Sequence, residues 1–204
     1  QVGSGLSATA AVPNDSRLQP TNGGLSQAGS AWFNTPVDIT KFTNDFAFQL
    51  VNADADGITF TIQNSGTTAL GAAGGALGYA GIAKSVAIKF DLYNNNGEGD
   101  DSIGIYQNGA SPDVPSIDLS GSGIDLHNGD TFSVHMTYNG ATLAMSITDG
   151  VTGAVYNNSW AVNIPQVIGS NTAYVGFTCG TGGMTARGSR RDPMGVVQDS
   201  SCRL

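Results

Sequence analysis

Apolar and polar residues alternate with a period of two along much of the chain. In Gly57-Ile-Thr-Phe-Thr-Ile-Gln63, Ile58, Phe60 and Ile62 fall on one side and the threonines on the other. That is the pattern of a strand with one face on a core. Residues 42–51 (FTNDFAFQLV) alternate more loosely. In SVAIKFDLY (85–93), Val86, Ile88 and Phe90 share a face, and in TFSVHMTY (131–138), Phe132, Val134, Met136 and Tyr138 do. Asn139-Gly140 follows, and ATLAMSITDG resumes the alternation. Both turn residues tolerate positive φ, which predicts a two-residue hairpin loop. Residues 174–177 (YVGF) read as a further strand. Helical spacing is nearly absent and no internal repeat is evident. Strands at this spacing, split by Asn, Asp and Gly, predict an all-β single-domain sandwich with jelly-roll connections.

Composition agrees with that class. Of 204 residues 29 are Gly and only 12% are charged, about half the usual charged share. The net charge is −8, but Arg187, Arg190, Arg191 and Arg203 crowd into the last 18 positions. Residues 1–186 therefore carry 4 basic and 14 acidic side chains, a net of −10. A phosphate backbone would be repelled, so nucleic acid is not an expected partner. No run of 18 apolar residues is present, so no helical membrane span is expected. The Gly/Ser/Ala-rich start at Gln1 has no leader pattern and is expected to be a processed end. The tail RGSRRDPMGVVQDSSCRL has neither alternation nor a large aromatic. Residues 1–186 are thus expected to form the domain, and 187–204 a basic tail, disordered or foreign in origin and dispensable. Two cysteines, Cys179 and Cys202, make no disulfide framework.

Chemistry concentrates in FDLYNNNGEGDD (90–101). Asp91, Tyr93, Asn95 and Asp100 offer oxygen donors at offsets 0, +2, +4 and +9, directly after a strand. A hard cation takes oxygen ligands from several directions. Asp91 can bind with both oxygens, Tyr93 with its main-chain carbonyl, Asn95 with its amide oxygen and Asp100 as the closing ligand. Gly97 and Gly99 allow the sharp turn between them. Lys89, two residues before Asp91, cannot ligate a metal but can donate to carboxylates.

Four segments in order, ADADGITFTIQN (53–64), GAAGGALGYAG (71–81), SVAIKFDLYNNNGEGDDSIGI (85–105) and AYVGFTCGTGGMTA (173–186), resemble the legume-type (L-type) lectins, especially their secreted bacterial branch. The resemblance spans roughly residues 25–186. It implies the concanavalin A-like jelly roll and a sugar held in a shallow site built from four loops. Asp56, after a cis bond from Ala55, is then the first sugar contact. Gly75 offers its N–H from the second loop. Asn95 and Tyr93 supply an amide and a ring from the third, and Gly183 and Met184 lie on the fourth. The calcium loop of such lectins has the same offsets as Asp91, Tyr93, Asn95 and Asp100, so calcium is the expected ion. Those lectins carry a Glu where this chain has Lys89, and a His where Ser102 stands, both ligands of a transition metal. None is therefore expected here, and Lys89 is expected to hold Asp91 or Asp100. A family member would also continue past the fourth loop into a last strand, where this chain has RGSRRDP.

The reading is non-catalytic carbohydrate binding by a secreted or cell-surface bacterial module. Single sites of this kind bind weakly, at about 0.1–1 mM, and useful binding needs several copies. Self-association through the back sheet is compatible with it. A glycoside hydrolase on the same fold needs two carboxylates, and Glu98 is the chain's single Glu. A structural or adhesive domain without sugar binding is the other alternative, and Lys89 favours it. His127 and His135 are expected to be satisfied or exposed, with His135 on the sheet face opposite Val134 and Met136. Tyr79, Trp32 and Trp160 are expected to pack.

Overall fold

The structure is a computed structural model that describes residues 18–22, 24–51, 54–183 and, for the backbone alone, 201–203. Two antiparallel sheets enclose one core. The first has the order β1 (Ala28–Trp32), β11 (Thr172–Gly180), β4 (Gly57–Gln63), β5 (Ser85–Asp91), β6 (Ser102–Gln107), β7 (Ile117–Asp118), and a seventh strand, β2 (Val37–Asp38), pairs with β11. The second has the order β10 (Val155–Ala161), β9 (Thr142–Asp149), β8 (Thr131–Tyr138), β3 (Phe42–Val51), β12 (Ser201–Arg203). One short α-helix, α1 (Ile164–Ile168), and two 3-10 turns, Gly74–Ala76 and Leu126–Asn128, are found among the described residues. The all-β jelly-roll sandwich expected from the alternation is the fold observed.

The alternating apolar residues meet between the sheets. Phe132, Val134, Met136 and Tyr138 of β8 are buried, as are Ile58, Phe60 and Ile62 of β4 and Val86, Ile88 and Phe90 of β5. Aromatic rings join the layers. Phe46 of β3 lies 5.5 Å from Phe60 and 5.0 Å from Phe177, and Phe48 lies 4.8 Å from Phe90 and 5.5 Å from Phe132. Pairs at these separations are favourable beyond the area they bury. His135 points away from the core, as expected, and its Nδ1 lies 2.6 Å from Asp45 Oδ1.

Four expectations change in detail. The β8–β9 hairpin has Gly140 and Ala141 at its tip, not Asn139 and Gly140. Asn139 closes the turn instead: its Oδ1 accepts from the N–H groups of Ala141 and Thr142, both at 2.9 Å, and only Gly140 needs positive φ. β1, β6 and β10 were not foreseen as strands. In β10 the pair Asn157-Asn158 reads as a turn, yet it is tolerated because β10 is a sheet edge.

β4 and β5 are buried on both faces. Thr59, Thr61, Gln63, Ser85, Lys89 and Asp91 point away from the core but are covered. Part of the cover comes from residues 66–84. Leu77 and Tyr79 are fully buried there, Thr178 Oγ1 donates to Leu77 O at 2.8 Å, and Tyr79 Oη accepts from Ser85 Oγ at 3.1 Å. Tyr79 therefore packs, as does Trp32, whose Nε1 donates to Ala69 O at 2.9 Å.

Met184 and residues 187–200 lie outside the described residues, as does the side chain of Cys202. Ser201–Arg203, within the tail expected to be dispensable, pair with Gln49–Val51 beside β3. Truncation before Arg187 is expected to bare that edge and lower the melting temperature by a few degrees; an unchanged melt would restore the dispensable tail. Phe48→Ala is expected to cost about 3–5 kcal/mol, measured by urea unfolding, because it opens a cavity between the sheets.

Candidate functional site

The four loops named from the sequence meet at one end of the seven-stranded sheet. β4 begins at Gly57, which pairs with Gly180 of β11 on one side and Asp91 of β5 on the other. That register puts the segment before β4, the end of β11 and the loop after β5 side by side. Asp56 donates its N–H to Gly180 O at 3.3 Å and accepts at its own carbonyl from Leu92 N at 2.7 Å. Gly74 N donates to Thr181 O at 3.0 Å, which ties the Gly-rich loop to the end of β11. The Ala55–Asp56 peptide is cis, as the resemblance implied.

Two glycines let these loops touch. A Cβ on Gly75 would lie 2.6 Å from Asn95 Nδ2, and one on Gly182 would lie 2.7 Å from Asp56 Oδ2. Gly75 thus brings the second loop against the third, and Gly182 brings the fourth against the first. Gly183 is exposed beside it, and Tyr93 is 37% exposed with its ring in the surface. Asp56 departs from expectation. It is not a solvent-facing carboxylate but is only 4% exposed, and its Oδ2 has no hydrogen-bond partner. Burial raises its pKa to about 6.

The loop after β5 is arranged around a lysine. Lys89 is fully buried. Its Nζ donates to Asp91 Oδ2 at 3.0 Å and to Asp113 O at 3.1 Å, and lies 3.9 Å from Glu98 Oε1. Asp91 Oδ1 accepts from Tyr93 N at 3.3 Å, and Tyr93 O accepts from Asn95 Nδ2 at 3.3 Å. Asp100 is exposed. The second carboxylate turned inward is Glu98, 2% exposed, which the offsets did not single out. Gly97 at φ +93° and Gly99 at φ +95° make the turn that points Glu98 in and Asp100 out. Burial raises Asp91 to about 7, outweighing the nearby Lys89. Burial also acts upward on Glu98, but N–H groups of Asn96, Glu98 and Asn95 outweigh it, leaving the net shift downward.

The ammonium of Lys89 lies 3.0 Å from Asp91 Oδ2 and 3.9 Å from Glu98 Oε1, so a transition metal at this point would meet a fixed positive charge. For calcium, both oxygens of Asp91 are already engaged, Tyr93 O accepts from Asn95, and Asp100 faces solvent. These residues do not fit the calcium ion that the resemblance implied. Among the described residues, Asp101, Asp125 and His127 place ligand atoms within 4.8 Å of one another. Their groups already pair among themselves: His127 Nδ1 lies 3.1 Å from Asp101 Oδ1, and Asp125 Oδ1 accepts from His127 N at 3.0 Å. His127 is raised above its ordinary pKa by the Asp101 hydrogen bond.

The family model of the legume lectin β-barrel domain matches residues 3–190. The chain belongs to the legume lectin family. Solved structures agree in fold. The basic winged bean lectin, solved with the Tn antigen, superposes at a TM-score of 0.75 with 21% identity, over 98% of this chain and 88% of that one. The lectin of Bauhinia forficata, solved with GalNAc, gives 0.73 and 21% over 100% and 90%. Arcelin-5, a lectin-like defence protein of Phaseolus vulgaris, gives 0.73 and 18% over 98% and 88%. At these identities the likeness is one of fold. Relative to the legume lectin pattern, the departures at Lys89 and Ser102 lie side by side in the structure: Ser102 pairs with Asp91 across β5 and β6, and its Oγ is buried without a partner.

The Asp56 geometry predicts a pH effect on stability. Its folded pKa of about 6 lies above the ordinary aspartate value of 3.8, so the folded state holds that proton more tightly than the unfolded chain. The stability carried by the neutral acid is complete below pH ~4 and is lost as pH rises through about 6. Asp56→Asn, which stays neutral, is expected to melt a few degrees above the parent at pH 7.5 and level with it near pH 4.

Proposed function

We propose that this protein is a non-catalytic carbohydrate-binding domain that holds sugar in a shallow site formed by the four converging loops. One observation carries the reading. A carboxylate oxygen of Asp56 is buried without a partner at the point where those loops meet. A buried, unsatisfied carboxylate is destabilising, and adjacent sugar hydroxyls are donors of the right kind to relieve it. Asn95 adds an amide, Gly75 a main-chain N–H that no side chain screens, and Tyr93 an exposed ring face. Gly183 lies on the fourth loop, where the sequence also places Met184 as an expected contact. Family membership supports carbohydrate as the ligand class. Calcium, expected from the sequence offsets, is not part of this proposal, because the donor set does not fit it.

Turnover is not proposed. Two of the three buried carboxylates near the loops, Asp91 and Glu98, face the same buried ammonium and are not placed as a free acid and base. A secreted or cell-surface location, in a bacterium, goes with the resemblance and with a surface poor in charge. Self-association through the polar outer face of the five-stranded sheet is also proposed. It would supply the several copies that weak sites need.

Binding to a glycan array tests the proposal. Asp56→Ala and Asn95→Ala are each expected to weaken binding roughly 10–100-fold, the worth of a hydrogen bond to a charged or buried partner. Binding by the parent is expected to fall about tenfold between pH 7 and pH 5, as Asp56 takes up a proton at about 6. Unchanged binding by Asp56→Ala would move the sugar elsewhere on the domain. No binding to any glycan would leave a structural or adhesive domain, and product release from a bound glycan would make it an enzyme.

A further inference from the structure

We propose that Lys89 is a built-in cation, which takes over the loop-holding role that divalent ions have in legume lectins and so positions Tyr93 and Asn95 without metal. The link to sugar rests on the carbohydrate reading above; the assembly of the loop does not.

The lysine is built into the sheet. It lies on β5 opposite Thr59 of β4 and Gly104 of β6. Gly104 leaves room for a ring: a Cβ there would lie 2.7 Å from Tyr106 Oη. The ring occupies that space, and Lys89 Nζ lies 5.7 Å from its centroid, within reach of a cation–π contact. Tyr106 Oη also bonds Asp113 O and Pro115 O, both at 2.9 Å. The ammonium is thus enclosed by an aromatic face, a carboxylate, a carbonyl and a second carboxylate. A buried ammonium persists only when partnered in this way.

Those partners come from separate parts of the chain. Asp91 ends β5, Glu98 sits in the middle of the loop, and Asp113 belongs to a segment that follows β6. Further bonds join the same pieces. Asn96 Nδ2 donates to Asp113 Oδ2 at 2.7 Å, and Ser116 Oγ to Glu98 O at 3.3 Å. Asn95 and Tyr93 lie between Asp91 and Glu98, so fixing those two carboxylates fixes the span that carries them. A divalent ion does the same work by drawing oxygens from several directions. Here one charge covalently attached to the sheet replaces it. A divalent ion entering beside a fixed ammonium, in a site shielded from water, meets repulsion that a metal-dependent loop does not have.

Thermal melts of the whole chain in excess EDTA, in millimolar calcium chloride and in millimolar manganese chloride test the proposal without any sugar. The parent is expected to melt at the same temperature in all three. Elemental analysis of protein purified without chelator is expected to find no stoichiometric metal. A rise in calcium, a fall in EDTA or one bound equivalent would overturn the proposal. Lys89→Gln is expected to melt roughly 10 °C lower, since it strands two buried carboxylates; an unchanged melt would overturn it. Lys89→Glu is expected to recover part of its loss in calcium or manganese, and the same loss in all three solutions would count against a cation role. The Asn95 side-chain amide signal, followed by nitrogen-15 NMR, distinguishes positioning from general support. It is expected to move in Lys89→Gln and to stay in place when the parent is given EDTA. A lysine that only stabilised the fold would lower the melt and leave that signal unmoved. Binding of the parent to immobilised glycans is expected to survive EDTA, and loss of binding there would overturn the proposal. Failure to bind any glycan would count against the carbohydrate reading alone, because the melts do not involve it.

Discussion

The interior of the seven-stranded sheet is covered on both sides, and one of those sides is polar. That burden governs the rest of the molecule, because a polar group removed from water must find a partner. Thr59 bonds Thr61 and Thr178, each at 2.7 Å, and Thr178 in turn holds Leu77 O. Ser85 reaches Tyr79, and Lys89 reaches Asp91, Asp113 and Glu98. The bonds from Thr178 to Leu77 O, from Ser85 to Tyr79 and from Lys89 to Asp113 O and Glu98 fasten loops to the sheet. The loops are consequently held by the strands they cover, and their glycine-lined edges arrive at one place.

At a few points that pairing is left incomplete. Asp56 Oδ2, Glu98 Oε1 and Ser102 Oγ are buried without a hydrogen bond. Glu98 still faces Lys89, and Ser102 lies on the strand next to Asp91. Among the described residues no cation faces Asp56 in this way, and burial raises its pKa to about 6. An unpartnered, partly protonated acid among small residues is a common form for a binding site, because stability given up in the free protein is regained when the ligand supplies the missing donors.

The two sheets of the core and the buried polar face divide the structure into parts of different legibility. Alternation marked β3, β4, β5, β8, β9 and β11, because a strand with one face on the core repeats every two residues whatever lies around it. It did not mark β10, an edge strand whose Asn157-Asn158 pair fits a turn equally well, nor did it show that the odd-numbered face of β5, with Ser85, Lys89 and Asp91, would be as buried as the even-numbered one. Burial on that second face is conferred by residues 66–84, which fold back over the strand they precede, and by residues 111–116, some 20 residues beyond it.

By itself the sequence determined the strands of the sandwich, because strand period is a local property; the four loops and Asp56, Gly75, Tyr93 and Asn95 as sugar contacts were expected only from the resemblance to the legume-type lectins. It also marked Lys89 as the residue out of place in a cation loop. Only the tertiary structure decided which acid would answer that lysine. Asp100 stood at the expected offset, yet the positive φ values of Gly97 and Gly99 turn Glu98 inward instead. Asp113, 24 residues further on, supplies the carbonyl that completes the ammonium's surroundings. Offsets along a chain count donors, but the partner of a buried charge is chosen by whatever packs over it, and that is settled only when distant segments meet.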